Sequence, residues 1–410
     1  MSEEWLAYTK DTRTPCRYGK KCYQKNPAHH SAFKHPPQIN TKAEKRKKNR
    51  FSPYTAELKN TESEKEIKKD EINSTKDKQE EEAGGSSNSR KINTIIRNRD
   101  NLPFYEDAEC SLVKELFLFE MPEDFFKFLE CMNDEGDIEK SLGSANLELI
   151  GPYDLLLGKL PKIDDKDLYL VHWRFFYDPP EFQAVLKKTG KSEYHIGYFR
   201  DEPDKMPEFL GSNDSAKNCH ITIMAKNIFG AVYQYLQNEK KSSPFTAMTC
   251  QKLMDKVKKY AEENKFSIEP YDLKKRKAAT VTSTFHRAGV VVPYNKKTQL
   301  GYRPLVESDA NIKKMFEKLQ AATTQDEKDK ILSELQPIIT FASIAVDECD
   351  FGTGIELGIN LFCSGIEDLD SNALSCLRAA YSLLNRDAFI KILETHLKYR
   401  RKGPNMSILD

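Results

Sequence analysis

Cys16, Cys22, His29 and His35 stand at C-x5-C-x6-H-x5-H spacing in a 410-residue chain. Two thiolates and two imidazoles suit zinc, which holds them in a closed tetrahedron with no redox chemistry and no position for water, so the spacing predicts a structural site. Between Arg13 and Pro36 the large apolar groups are Tyr18, Tyr23 and Phe33, and metal binding must supply most of the folding free energy of so short a segment. Arg17, Lys20, Lys21 and Lys25 lie beside the tyrosines. Aromatic faces can stack bases while such cations meet phosphate charge; the alternative is that the rings merely cover the metal. A second cluster is acidic: Asp347, Glu348 and Asp350, followed by Gly352 and Gly354. The pattern predicts acids crowded at the C-terminal end of a helix that the glycines terminate. There the helix dipole and mutual repulsion both favour the protonated form, which is the direction a general base needs. Neighbouring positions on a helix point about 100° apart, so Asp347 and Glu348 are expected to play different roles. The alternative is a solvated acidic helix end.

The elements that must position these groups fall into distinct stretches. Residues 13–37 form the zinc segment. Residues 38–101 are dominated by Lys, Glu, Asn, Ser and Asp, cannot bury enough apolar surface to offset ordering entropy, and are expected to be a disordered charged linker. Within them Lys45-Arg46-Lys47-Lys48-Asn49-Arg50 is a basic cluster of the kind read by import receptors. Residues 102–400 show regular apolar spacing, and residues 401–410 are expected to be a flexible tail. The formal net charge is +1, which says little about partners. Nine cysteines without a disulfide-like spacing fit a reducing compartment. Neither a signal peptide nor an apolar run of membrane-spanning length is found, so the expectation is a soluble intracellular protein.

In the body, Leu112 to Leu129 predict two short helices broken at Met121-Pro122. Strand-like pieces follow at Leu147–Ile150, Tyr169–Tyr177, Tyr194–Phe199 and Cys219–Ile223, separated by Asp-Pro-Pro, Asp-Glu-Pro and Gly-Ser-Asn-Asp turn signals. Helices are expected over Ile228–Glu239 and Met248–Glu263, a hairpin over Thr280–Pro293, and a run of helices from Asp309 to His396. The fold class is therefore α+β: a small antiparallel sheet flanked by helices with an all-helical C-terminal part, preceded by a small zinc finger and a disordered linker. His172, Trp173, His195, His286 and Cys349 are expected to be packing residues rather than catalysts. The chain contains no Walker loop, Gly-x-Gly-x-x-Gly turn or Gly-x-Ser-x-Gly elbow.

The first segment resembles the poly(ADP-ribose)-binding zinc finger, on Arg13, Cys16, Tyr18, Gly19, Cys22, Tyr23, His29, Phe33, His35 and Pro36. The resemblance implies that Tyr18 and Tyr23 hold the adenine of ADP-ribose, with Arg17 beside them in the poly(ADP-ribose)-binding set and facing pyrophosphate charge. Gln24 stands where an arginine commonly follows the second tyrosine. The body resembles the histone PARylation factor family. The matching strings are Leu-Ile-Gly-Pro-Tyr-Asp (149–154), His-Trp-Arg-Phe-Phe-Tyr-Asp-Pro-Pro-Glu-Phe-Gln (172–183), His-Ile-Gly-Tyr-Phe-Arg-Asp (195–201), Thr-Phe-His-Arg-Ala-Gly-Val-Val-Val-Pro (284–293), Gly-Tyr-Arg (301–303) and Asp-Glu-Cys-Asp-Phe-Gly-Thr-Gly-Ile-Glu-Leu-Gly (347–358).

That resemblance implies a nuclear accessory factor that is not an enzyme alone. Glu348 would enter the active site of a poly(ADP-ribose) polymerase as general base, with Asp347 beside it positioning the acceptor or the partner. Arg303 and Asp350 would serve the partner interface; Pro304 follows Arg303 where relatives usually carry an acid. NAD would be bound by the polymerase, and the product would be serine ADP-ribosylation of histones and other proteins on damaged chromatin. The free protein would be monomeric. The competing readings are a stand-alone ADP-ribose glycohydrolase and a pure poly(ADP-ribose) reader.

Overall fold

The computed structural model describes residue 8 and residues 10–16, 26–35, 102–106, 109–133, 136–242 and 245–409. Cys22, Arg17, Tyr18, Tyr23, Gln24 and the Lys45–Arg50 cluster lie outside the described residues. The chain divides into two compact units, one holding Cys16, His29 and His35 and the other holding the body.

Near the N-terminus, strand β1 (Thr14–Pro15) pairs parallel with β2 (Phe33–Lys34). Between them helix α1 (Pro27–Ala32) starts with proline at its first position, where a missing N–H costs nothing. The Asn26 side chain accepts the Ala28 N–H at 2.9 Å and so caps the open helix end.

The body begins with helices α2 (Cys110–Phe117) and α3 (Glu123–Asn133). Leu118 at φ 64° ends the first, and Pro122 precedes the second, as expected of a break at Met121-Pro122. After α4 (Ile138–Gly143) comes a five-stranded sheet in the order β3-β4-β5-β6-β7. Its strands are Leu147–Leu149, Phe182–Lys188, Tyr194–Phe199, Phe209–Asp214 and Thr222–Ala225. All neighbours are antiparallel, so the sheet is a meander. A short helix α5 (Pro152–Leu156) follows β3.

Both faces of the sheet are buried. Leu186, Ile196, Tyr198 and Leu210 pack against Phe125, Phe128, Tyr153 and the hairpin of α6 (Ile228–Ser242) and α7 (Ala247–Glu263). Phe182, Ala184, Phe199 and Phe209 form a second cluster with Phe175, Ile221 and Met406. Each buried phenylalanine contributes roughly 1.5–3 kcal/mol.

Three expectations fail here for identifiable reasons. The Gly-Ser-Asn-Asp string is not a turn but the end of β6. Asn213 makes this possible by donating from Nδ2 to the carbonyls of Asn218 and His220, both at 2.9 Å, so a polar residue is satisfied inside the sheet. Tyr169–Tyr177 is not a strand. Asp165 accepts the Asp167 N–H at 3.2 Å and starts a 3-10 helix over Lys166–Val171. His172 and Trp173 then converge on Asp154 Oδ2 at 2.8 and 2.7 Å. Residues 401–409 are not a flexible tail: Met406 and Ile408 are buried, Met406 O accepts the Trp173 N–H at 2.9 Å, and the Ile408 N–H donates to His172 Nδ1 at 3.3 Å.

Helix α8 (Leu273–Ala279), capped by Asp272, leads to the 280–293 segment, where Thr282 and Val290 form an isolated antiparallel bridge. The C-terminal third is helical: α9 (Asp309–Ala321), α10 (Gln325–Asp347), α11 (Phe351–Ser364), α12 (Asp370–Leu383) and α13 (Asp387–Tyr399). Helix α10 opens on a capping box between Thr324 and Glu327. Every residue of α11 from Phe351 to Cys363 is buried, so it is the axis around which its neighbours pack.

Candidate functional site

The junction between α10 and α11 collects the acidic cluster. Helix α10 closes on Cys349, which takes the left-handed conformation at φ 71°. The Cys349 N–H donates to Val346 O at 3.0 Å and the Asp350 N–H to Ala345 O at 2.8 Å. Gly352 and Gly354, expected to terminate the first helix, lie instead in the first turn of the second. Glycine is needed at 354 for space: a Cβ there would stand 2.2 Å from Val346 Cγ2. The two helix axes can therefore meet closely at the corner.

Asp347, Glu348 and Asp350 take three different directions. Asp347 is exposed at the end of α10. Asp350, expected at a partner interface, is turned inward because the segment 301–303 runs across the start of α11 and offers it donors. Its Oδ1 accepts the Gly301 N–H at 2.9 Å and its Oδ2 accepts from Arg303 Nε at 2.7 Å. Gly301 adopts φ 113°, and a Cβ there would lie 2.2 Å from Pro293 O, so only glycine lets the segment pass. Thr353 completes the clamp: its Oγ1 accepts the Arg303 N–H at 3.0 Å and donates to Arg303 O at 2.7 Å. Gly352 N–H donates to Gly301 O at 2.9 Å.

Thus held, Arg303 extends its Nη2 to Glu348 Oε2, with the Phe341 ring 5.7 Å from its guanidinium carbon. The Glu348 side chain is 47% exposed, Arg303 31% and Asp350 11%. Partial burial works against the guanidinium charge, but Glu348 and Asp350 together outweigh it and raise the Arg303 pKa. The crowding of acids at a helix C-terminus is thereby met by a cation from elsewhere in the chain. Chemically the corner presents a half-exposed carboxylate at its tip, oriented from one side by an arginine whose own position is fixed from behind.

The sequence offers Glu348, Arg303, Asp347 and Asp350 as candidates and gives no role to Thr353 and Phe341, which the structure places against Arg303. For Thr353 a signal exists: it stands three residues after Asp350, on the same side of the first turn of α11.

The zinc segment brings Cys16, His29 and His35 together, with their candidate ligand atoms all within 4.8 Å of one another. Parallel pairing of β1 with β2 does this, carrying the Cys16 N–H to Lys34 O at 2.8 Å. Cys16 Sγ lies 3.5 Å from His29 Nε2, and His29 Nε2 lies 3.1 Å from His35 Nε2. Tetrahedral zinc with ordinary bond lengths requires about 3.5 Å between S and N and about 3.3 Å between two N atoms. The described ligands fit the ion, and the fourth expected ligand, Cys22, lies outside the described residues. Burial, then the neighbouring His35 and His30, lower the His29 pKa and favour the neutral imidazole that a metal takes. Phe33 packs on His29 with ring centres 5.1 Å apart.

His172, His195 and His286 are buried as expected. His195 Nε2 meets Asp178 Oδ1 at 2.8 Å, and burial lowers the His286 pKa to about 3. All three are supports within the core.

Residues 108–400 match the family described as histone PARylation factor 1, and residues 13–38 match the PBZ domain. Histone PARylation factor 1 of Mus musculus is 40% identical over 298 residues, covering 70% of this chain and 86% of the relative. Its counterpart from Bos taurus is 38% identical over 312 residues, 72% of this chain and 88% of the relative. That from Danio rerio is 39% identical over 295 residues, 70% and 84% respectively. With its α+β body, its acidic corner and a zinc-compatible finger, the chain belongs to the histone PARylation factor 1 family and carries a PBZ domain before the family's body.

Proposed function

We propose that this chain docks on a poly(ADP-ribose) polymerase and lends it a general base, Glu348, so that serine hydroxyls on histones and other chromatin proteins become acceptors of ADP-ribose. The observation that carries the proposal is the position of Glu348: a carboxylate half exposed at the tip of the α10–α11 corner, where a second protein can close over it. Departure of nicotinamide from NAD, held by the partner, leaves an electrophilic ribose carbon. A serine hydroxyl attacks it well only if a base takes the proton, a contribution of about 10²- to 10⁴-fold. Glu348 takes that proton, and Asp347, exposed beside it, meets the acceptor or the partner. Arg303 orients the carboxylate in the free protein. A partner that engages the arginine lets Glu348 turn to the acceptor hydroxyl.

The PBZ match and the three clustered ligands support a zinc finger that binds poly(ADP-ribose) through Tyr18 and Tyr23, with Arg17 adding charge. A finger of that kind holds the body near polymer already made, at DNA lesions in the nucleus, with Lys45–Arg50 serving import.

The test mixes the chain with NAD, histone and polymerase catalytic domain. Serine linkages should require both proteins, and Glu348→Gln should remove them while changing polymerase affinity by less than about threefold, because a half-exposed ion pair contributes little. Transfer at the wild-type rate by Glu348→Gln refutes the proposal. Loss of preformed polymer with this chain alone would make it a glycohydrolase instead.

A further inference from the structure

An open cavity of about 440 Å³ lies between α8 and the 280–293 segment and shares no lining residue with the acidic corner. Its size falls in the range of small-ligand sites, about 300–1,000 Å³. Its two walls are tied together by Arg276, which is buried. Arg276 Nε donates to Ala288 O at 2.8 Å, and its Nη1 and Nη2 donate to the Asp201 carboxylate at 2.7 and 2.8 Å. The Val281 N–H, donating to Val290 O at 2.8 Å, fixes the 280–293 segment on itself. The cavity is therefore built before any ligand arrives, and Asp201 neutralises the strut.

Next to each end of that strut stands a further cation, Lys277 beside Arg276 and Arg287 beside Ala288. Both are exposed, both line the cavity, and neither joins an ion pair among the described residues. Arg287 is held in the left-handed conformation at φ 69°, which non-glycine residues adopt infrequently. Its turn is pinned from behind: the Arg287 N–H donates to Thr284 O, the Ala288 N–H to His286 Nδ1 and the Phe285 N–H to Asn360 Oδ1, each at 2.9 Å. Ser283 adds an exposed hydroxyl to the lining, while Thr282 Oγ1 is turned away toward the buried Glu356 at 2.6 Å. No carboxylate lines the cavity, in a chain whose 64 basic and 63 acidic residues balance, so the local charge does not follow from composition. The remaining wall is apolar, with Val281 and a Leu273 that is 61% exposed.

We propose that this cavity binds a nucleoside diphosphate, with the phosphates between Lys277 and Arg287 and the sugar and base against Leu273 and Val281. A guanidinium, an ammonium and a hydroxyl are the donors that phosphate oxygens take. An acidic peptide would use the cations but leave Leu273 facing water; a nucleotide uses both walls. The inference does not depend on the role of Glu348.

The experiment titrates ADP into the full-length chain carrying Tyr18→Ala and Tyr23→Ala, so that the finger contributes little, and follows the backbone amides of Ser283, Arg287 and Gly289. They should shift and saturate with ADP, and stay in place with adenosine at the same concentration. Lys277→Ala and Arg287→Ala should each weaken ADP about tenfold, the loss of one charge-assisted bond; because both side chains are exposed, the remaining body amides should be unmoved. Leu273→Ser should weaken ADP while leaving inorganic pyrophosphate unaffected. A short ADP-ribose oligomer that binds more tightly than ADP makes the nucleotide a unit of a polymer, and weaker binding makes it a free nucleotide; both are the ligand proposed. Amides that ignore ADP, undiminished affinity when Lys277 and Arg287 are both alanine, or a hexaglutamate peptide that saturates the same amides as readily as ADP overturns the inference.

Discussion

Asp350 performs two separable tasks, and two substitutions distinguish them. Its carboxylate accepts a charge-assisted bond from Arg303 Nε at 2.7 Å and the Gly301 N–H at 2.9 Å. Asparagine can still accept from Gly301 but presents no charge to the arginine. A hydrogen bond to a charged group contributes about 1.5–3 kcal/mol. Since the Arg303 side chain is 31% exposed, water replaces part of that, and Asp350→Asn should cost about 1–2 kcal/mol. Alanine also strands the Gly301 N–H, which is buried, and adds about 1–3 kcal/mol. Urea unfolding at neutral pH, with unchanged slope against denaturant, should therefore rank wild type, asparagine and alanine in that order. In a cycle with Arg303→Met, the coupling to Asp350→Asn should be about 1 kcal/mol. The reasoning fails if alanine is no worse than asparagine, or if both lie within about 0.5 kcal/mol of wild type.

Other consequences are equally measurable. Glu356 is raised in the fold from 4.5 to about 7, so its contribution is fully present below the unfolded value and is lost as pH rises through the folded one. At about 1.4 kcal/mol per pH unit the loss comes to about 3 kcal/mol; denaturation at pH 5 and pH 8 should show it in wild type, and Glu356→Gln should flatten it. Gly354→Ala must displace Val346, costing about 1–3 kcal/mol, and Val346→Ala in the same chain should recover part of that loss in a thermal melt. Chelation of zinc should collapse the dispersed amide resonances of the His29–His35 stretch while leaving those of the body in place. A finger that keeps its spectrum and its poly(ADP-ribose) affinity without metal contradicts the structural role given to Cys16, His29 and His35.

Much of the architecture was legible because it is local. The break at Met121-Pro122 and the helices beginning near Ile228 and Met248 follow from proline, periodicity and caps. Strands β4 and β6 were harder: buried on both faces, they lack alternation, and β6 ends in residues that read as a turn until Asn213 is seen bonding back to the 218–220 loop. The run 169–177 misled for the opposite reason, since its aromatics resemble a strand while Asp165 caps a helix and Asp154 pins His172 and Trp173.

By itself the sequence pointed to the zinc set, of which Cys16, His29 and His35 come together, since ligands within twenty residues can meet through local turns alone, and it placed three acids at one helix junction. What those acids do was decided only in three dimensions. Arg303 stands more than forty residues from Glu348 and Asp350, and no spacing rule relates them. They meet because Gly301 lets one segment cross the start of α11, where Asp350 and Thr353 grip it. Electrostatic energy depends on distance in space rather than along the chain, so the fold alone assigns an inward support to Asp350 and an arginine-held, outward carboxylate to Glu348.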